Sequence, residues 1–333
     1  MQSSHKKLFL FFLSCIVLIF NYNNSVFVTA TSELGLNYGL LGDNLPPPSN
    51  VINFFKSIGI TKIRIFDPNT TVLDALRGNK EIGVTVGVKD QDLAALATSE
   101  EAVNSWFTTN IEPYLADVNI TFITVGNEVI PGPIGPQVLP VIQSLTNLVK
   151  SLPISVTTVV AMSNLGQSYP PSAGKFNPQS REQLVPVLKF LSQTSTPIFV
   201  NIYPYFPYAS DPVNIHLDYA TSNTETVVVQ DGPLGYSNMF DAMFDAFVWA
   251  MEKEGVKDLP MVVSETGWPS AGNGDLTTPD IAATYNGNVL KHIVSGKGTP
   301  KRPNSAIEGS ESPPPSSTSK AAGSLNMNIE VSR

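Results

Sequence analysis

Two stretches of this 333-residue chain each close a β-rich run with a carboxylate. Residues 259–270 read LPMVVSETGWPS: an uncharged run, β-branched at Val262 and Val263, gives way to Ser264, Glu265, Thr266, Gly267, Trp268 and Pro269. Residues 119–129 read NITFITVGNEV, an alternating run closed by Gly126, Asn127 and Glu128. Taken alone, Glu265 reads equally well as a cap on a following helix or an acceptor for loop amides. The second glutamate changes that reading. A pair of carboxylates at strand ends suits glycoside hydrolysis, in which one acid protonates the leaving oxygen while the other carboxylate attacks the sugar carbon or activates water. The two lie 137 positions apart, which leaves room for three strand–helix units between them. Both can therefore face one barrel mouth.

The elements that must position them alternate. Strand patterns at residues 33–39, 60–66, 82–88, 119–129, 154–162, 197–203 and 259–263 are separated by amphipathic helical patterns. Among these helices, residues 237–253 carry Phe240, Phe244 and Phe247 at helical spacing, a core stripe. Seven such units in succession predict an α/β chain folded as a TIM (β/α)8-type barrel, because alternating elements of these lengths form parallel sheets with right-handed crossovers. A doubly wound open sheet is the rival, but the strand ends carry no phosphate-type glycine loop. The fragment SGKG at 295–298 follows a helix and reads as a plain loop. A long insertion at 204–235 follows the sixth strand, where loops are often part of a binding site.

Composition narrows the function further. The chain is 42% hydrophobic and 14% charged, with a formal net charge of −8. Lys6 and Lys7 precede an apolar run at 8–20, with small residues at Val28 and Ala30, the pattern of a signal peptide over residues 1–30. Its apolar run is too short to span a bilayer. Removing it takes two lysines and no acid, so the charge becomes −10, and the one cysteine, Cys15, leaves with it. The expectation is a secreted protein of the extracellular space or cell wall, without disulfides, cofactor or metal. An acidic chain does not suit nucleic acid or an anionic membrane surface but does suit a neutral substrate. His216 and His292 lack ligand spacing. Asn69-Thr70-Thr71 and Asn119-Ile120-Thr121 match the N-glycosylation pattern.

With both glutamates placed, GNEV at 126–129 and VSETGWPS at 263–270 resemble the two signatures of glycoside hydrolase family seventeen, the plant-type endo-1,3-β-glucanases. LNYG at 36–39, KIRIFD at 62–67 and NIYPYF at 201–206 are similar to further blocks of that family, and the match runs from about residue 34 to 303. The resemblance implies a TIM barrel, a β-1,3-glucan substrate such as callose or a laminarin-like polymer, and retaining hydrolysis of internal bonds by a monomer. By the same resemblance Glu128 is the general acid/base, Glu265 the nucleophile, and Asn127 the partner of the sugar 2-hydroxyl. Retention requires the two carboxyl groups to stand about 5–5.5 Å apart. Tyr38, Tyr203, Tyr205 and Trp268 are candidate sugar contacts, since aromatic faces pack against pyranose CH faces, with barrel packing as the alternative for each. Asp67, before a proline, reads equally as a turn residue.

The resemblance stops near Pro303. Residues 304–333 are rich in serine and proline and hold no apolar run long enough for a buried strand, so they are expected to be a disordered tail behind a barrel domain at 31–303. The eighth strand would then be missing, leaving the first and seventh strands without a partner between them. On this reading the chain is a truncated or alternatively spliced product with its catalytic pair intact. Two alternatives follow: a catalytically impaired glucan-binding protein, or a β-1,3-glucan transglycosylase in which a sugar hydroxyl replaces water.

Overall fold

The computed structural model describes residues 35–42, 45–305, 307 and 326–328. The expected signal segment and most of the expected tail lie outside the described residues. Eight parallel strands form one sheet: β1 (Gly35–Tyr38), β2 (Lys62–Ile65), β3 (Gly83–Val88), β4 (Asn119–Asn127), β5 (Ser155–Ala161), β6 (Ile198–Asn201), β7 (Met261–Glu265) and β8 (Asn326–Asn328). From β1 to β7 each strand is hydrogen-bonded to the next in chain order, the wrap of a (β/α)8 barrel. Helices such as Pro48–Ser57, Gly135–Val149, Pro178–Gln193 and Met239–Lys253 bury their apolar faces against the outside of the strands.

One expectation needs correction. The eighth place is not empty: Asn326–Asn328 pairs in parallel with β1, Gly35 opposite Asn326 and Asn37 opposite Asn328. It also lies close to β7, although no ladder joins the two. The sequence argument failed because it looked for an apolar run, whereas the open edge of β1 needs only backbone amides and carbonyls to pair with. Of the expected disordered tail, residues 306, 308–325 and 329–333 lie outside the described residues.

The barrel lumen is lined by alternate residues. Phe122, Val159, Phe199 and Val262 form their own buried cluster inside, with Phe122 and Phe199 rings 5.1 Å apart. Their chain neighbours Ile123, Val160, Val200 and Val263 belong to the outer core under the helices. Strict alternation would place Glu265 on the same outer side as Val263. A register shift intervenes: Val263 pairs with Val200, but Glu265 pairs with Asn201, so the extra residue turns the carboxylate to the lumen side that Asn201 shares with Phe199. An equivalent shift on β4, between Thr124 and Asn127, sets Asn127 opposite the lumen residue Val159. Each glutamate-bearing strand thus ends in a bulge that re-aims its last residues.

Helix Met239–Lys253 carries Phe240, Phe244 and Phe247 into the core as its spacing predicts, and it also buries two acids. Asp241 pairs with His292 at 2.8 Å. Asp245 accepts from Thr299 Oγ1 at 2.5 Å and from the Lys301 N–H at 2.9 Å, fastening the turn that follows helix Pro279–Val294. Burial pushes the Asp245 carboxyl up to about 6, against the pull of those two bonds. A carboxyl raised in the folded state keeps a proton that the unfolded chain releases earlier, so this group's contribution to stability falls as pH rises from about 4 to about 6. Asp245→Asn is therefore expected to gain stability relative to the parent by roughly 1–3 kcal/mol between pH 4 and pH 7. Thermal unfolding of both proteins across that range measures it, and a constant difference would refute it.

Candidate active site

Strands β2, β4, β6 and β7 deliver the functional side chains to one rim through residues whose register puts them on the lumen side. Arg64 on β2 is 1% exposed. Its Nη1 donates to Glu265 Oε1 at 2.6 Å and its Nη2 to Asn127 Oδ1 at 2.8 Å. Tyr203, just past β6, donates its hydroxyl to the other Glu265 oxygen, Oε2, at 2.8 Å. Glu265 is itself buried, 6% exposed, so its charge is held by a guanidinium on one oxygen and a phenol on the other.

Glu128 occupies a different environment. Its side chain is exposed, and Oε1 accepts from Asn201 Nδ2 at 2.6 Å. Asn201 Oδ1 accepts from Ser264 Oγ at 2.6 Å, and Asn37 Nδ2 donates to the Ser264 carbonyl at 3.0 Å. Asn201 ties the two glutamates together, because its backbone is the register partner of Glu265 while its side chain binds Glu128. Parallel partners stand about 4.8 Å apart, so the two carboxylates share one rim. Glu128 also has φ 59°, and the glycine two places before it φ 78°. The left-handed region costs a non-glycine residue about 1–2 kcal/mol, which the surrounding bonds must offset. Gly126 admits no side chain, since a Cβ there meets Val129 Cγ2 at 2.6 Å.

The aromatic candidates separate into three situations. Tyr203 belongs to the site through its bond to Glu265, and its ring meets Phe206 edge-on at 5.6 Å. Tyr205 is half-buried on the wall beside it, packed on Phe206 and Trp268, its hydroxyl accepting from Asn273 Nδ2 at 3.1 Å. Trp268 is 5% exposed, stacks among Tyr205, Tyr208 and Tyr285, and spends its indole N–H on the Leu276 carbonyl at 2.9 Å. It buttresses Tyr205 instead of facing the cleft as expected. Tyr38 is also corrected: it follows the lumen residue Asn37, so it points outward, buried edge-on against Phe55 of helix Pro48–Ser57.

Sequence reasoning missed Arg64, Asn201, Ser264 and Phe206 as site residues, although three of them lie inside the quoted KIRIFD and NIYPYF blocks. A charged residue in the middle of an alternating apolar strand was the available signal for Arg64. Phe206, 63% exposed beside Tyr203 and Tyr205, presents an aromatic face to solvent. Among the described residues no group of three or more His, Cys, Asp or Glu side chains is arranged to hold a metal ion, and no helix is long and apolar enough to cross a membrane.

Comparison with known proteins bears on this geometry. The model of glycosyl hydrolases family 17 matches residues 34–310. The chain is 80% identical over 311 residues to a probable glucan endo-1,3-beta-glucosidase, BG4, of Arabidopsis thaliana, covering 93% of this chain and 90% of that one. It is 43% identical over 279 residues to a putative glucan endo-1,3-beta-glucosidase of Hordeum vulgare, covering 83% and 86%. Among solved structures it is similar to CJP38, a beta-1,3-glucanase and pollen allergen of Cryptomeria japonica, with a TM-score of 0.79 at 38% identity over 88% of this chain and 89% of that one. A plant beta-glucan endohydrolase matches equally well, with a TM-score of 0.79 at 36% identity over 89% and 90%.

Removing the Arg64 cation strands a buried carboxylate. Arg64→Met is expected to lower stability by about 3–5 kcal/mol, and Arg64→Met combined with Glu265→Gln to recover much of that loss. Thermal unfolding of the two singles, the double and the parent closes the cycle. Simple additivity of the two losses would show that the charges are not coupled.

Proposed function

The chain belongs to glycosyl hydrolases family 17, and we propose that it hydrolyses internal β-1,3 bonds of glucans, with Glu265 as nucleophile and Glu128 as acid/base. The observation that carries the assignment of roles is the asymmetry of the pair. Glu265 is buried and ion-paired to Arg64, a fixed anion suited to attack, whereas Glu128 is exposed toward solvent and held through one oxygen by Asn201. A general acid must reach the leaving group and exchange protons with water, so exposure suits it.

The steps follow from these positions. Glu128 gives its proton to the glycosidic oxygen as a Glu265 oxygen bonds to the anomeric carbon, and the bond between that carbon and the leaving oxygen breaks. The departing glucan carries the proton away, leaving a glycosyl ester on Glu265. Glu128, now a carboxylate, takes a proton from a water that attacks the anomeric carbon, and Glu265 leaves with the electrons of the ester bond. Two inversions give net retention. Arg64 and Tyr203 take up the changing charge on Glu265 without rearranging. Asn127 uses its oxygen on Arg64, which directs its amide N–H toward the sugar 2-hydroxyl. The exposed ring of Phe206 is a platform for a pyranose face.

We infer further that the protein is secreted and works on wall or callose-type glucan. The basic and apolar start of the sequence supports this reading, as does the placement of the glycosylation patterns. Asn119 is exposed at the amino end of β4, nine residues and about 30 Å along the strand from Glu128, so a glycan there stands clear of the cleft. Asn69 accepts the Val72 N–H at 3.2 Å and caps helix Thr70–Leu76, on the substrate side of β2.

Glu265→Gln and Glu128→Gln are each expected to cut reducing-sugar release from a linear β-1,3-glucan by at least about 10³-fold; Glu128→Gln should fold as the parent does, and Glu265→Gln, which leaves Arg64 without its carboxylate, is assayed below its lowered melting temperature. Proton NMR of the first product released should show the β-anomer; the α-anomer would exclude retention. Protein secreted from plant cells should lose mass on treatment with an N-glycan-removing amidase. Asn119→Gln should shrink that change and leave reducing-sugar release unaltered.

A further inference from the structure

β3 ends at Val88, whose ladder partner is Val125. Beyond that pair β4 runs on to Asn127, so the Asn127 N–H lies past the last residue of β3 and meets no carbonyl of that strand. Its acceptor is a side chain: Asp90 Oδ1, at 3.2 Å, from the first residue of a short 3-10 turn, Asp90–Asp92. On the opposite side of the same turn the Glu128 N–H donates to the Val159 carbonyl of β5 at 2.9 Å. Between and beside these two bonds the backbone is left-handed at Gly126 and Glu128. A glutamate held in that region relaxes to an ordinary conformation unless its neighbours fix it. The Val159 carbonyl fixes one side, and Asp90 fixes the other.

Asp90 is half-buried and touches no reacting atom. Burial raises its carboxyl, while the Asn127 N–H and the nearby Arg64 charge pull it back down. Its bond also begins a continuous path: Asp90 to the Asn127 amide, Asn127 Oδ1 to Arg64, Arg64 to Glu265. The path starts at the turn that carries one catalytic carboxylate and ends on the other.

We propose that Asp90 is the positioning residue for Glu128: by anchoring the peptide before it, Asp90 aims the acid at the glycosidic oxygen and keeps it in register with Glu265. The proposal rests on Glu128 being the general acid. Replacing Asp90 should therefore damage the step that needs a proton and spare the same step when no proton is needed.

The experiment compares kcat/KM on a linear β-1,3-gluco-oligosaccharide and on the same sugar carrying a dinitrophenyl leaving group, which departs without protonation. Asp90→Ala is expected to lose about 10–100-fold on the oligosaccharide and less than about threefold on the dinitrophenyl substrate. Asp90→Asn keeps an oxygen that accepts the amide and should stay within about threefold of the parent on both. Asp90→Glu retains the charge and lengthens the arm by one methylene, so it should show the selective loss even if the alanine variant folds poorly. Equal losses on the two substrates, or no loss on the oligosaccharide, overturn the proposal. Glu128→Gln separates it from the assignment beneath it. That variant spares the dinitrophenyl substrate if Glu128 is the acid, and an equal loss there overturns the acid assignment and with it the role of Asp90.

Discussion

A guanidinium buried in the barrel lumen governs the site. Arg64 has been taken almost wholly out of water, and a charge so placed requires an ionised partner and well-aimed acceptors. Glu265 supplies the charge and Asn127 the second acceptor, so one side chain on β2 ties the ends of β4 and β7 to itself. The bond lengths of 2.6 and 2.8 Å are those of charge-assisted contacts. A lysine would offer one point charge in place of a rigid fork and could not fix both partners in the same geometry.

From that constraint the difference between the carboxylates follows. Glu265 lies at the bottom of the rim, engaged on both oxygens, whereas Glu128 stands on a left-handed turn above it and reaches solvent. Asn201 joins the two environments through its backbone pairing with Glu265 and its amide bond to Glu128. Strain in the turn and burial in the lumen are both unfavourable taken singly. They persist because several hydrogen bonds hold each in place: Arg64 and Tyr203 donate to Glu265, and Glu128 gives its N–H to the Val159 carbonyl and accepts from Asn201.

The wall beside the pair is built in layers. Trp268 and Tyr285 pack beneath Tyr205, and the Thr266 and Tyr285 hydroxyls are hydrogen-bonded to one another below the surface. Tyr205 and Phe206 then complete the upper layer, next to the Tyr203 phenol that donates to Glu265. An aromatic residue in this motif is thus a support or a contact according to its depth, a distinction that residue type does not carry. Residue type left both sugar contact and barrel packing open for Trp268 and Tyr38, and both are buried among other rings.

The sequence by itself determined the alternation of strands and helices, the barrel, and the two glutamates that close its fourth and seventh strands, because hydrophobic period and polar strand ends are local properties. Only the tertiary structure decided which way those ends face. Counting by twos from Val263 places Glu265 under the helices, and it is the slip of β7 against β6 that turns it inward. The same kind of slip of β4 against β5 brings Asn127 to Arg64. Pairing register is a property of two strands at once, as is the backbone pairing that gives Asn326–Asn328 the eighth place. No single stretch of residues encodes it, since the bonds that set it join positions tens to hundreds of residues apart.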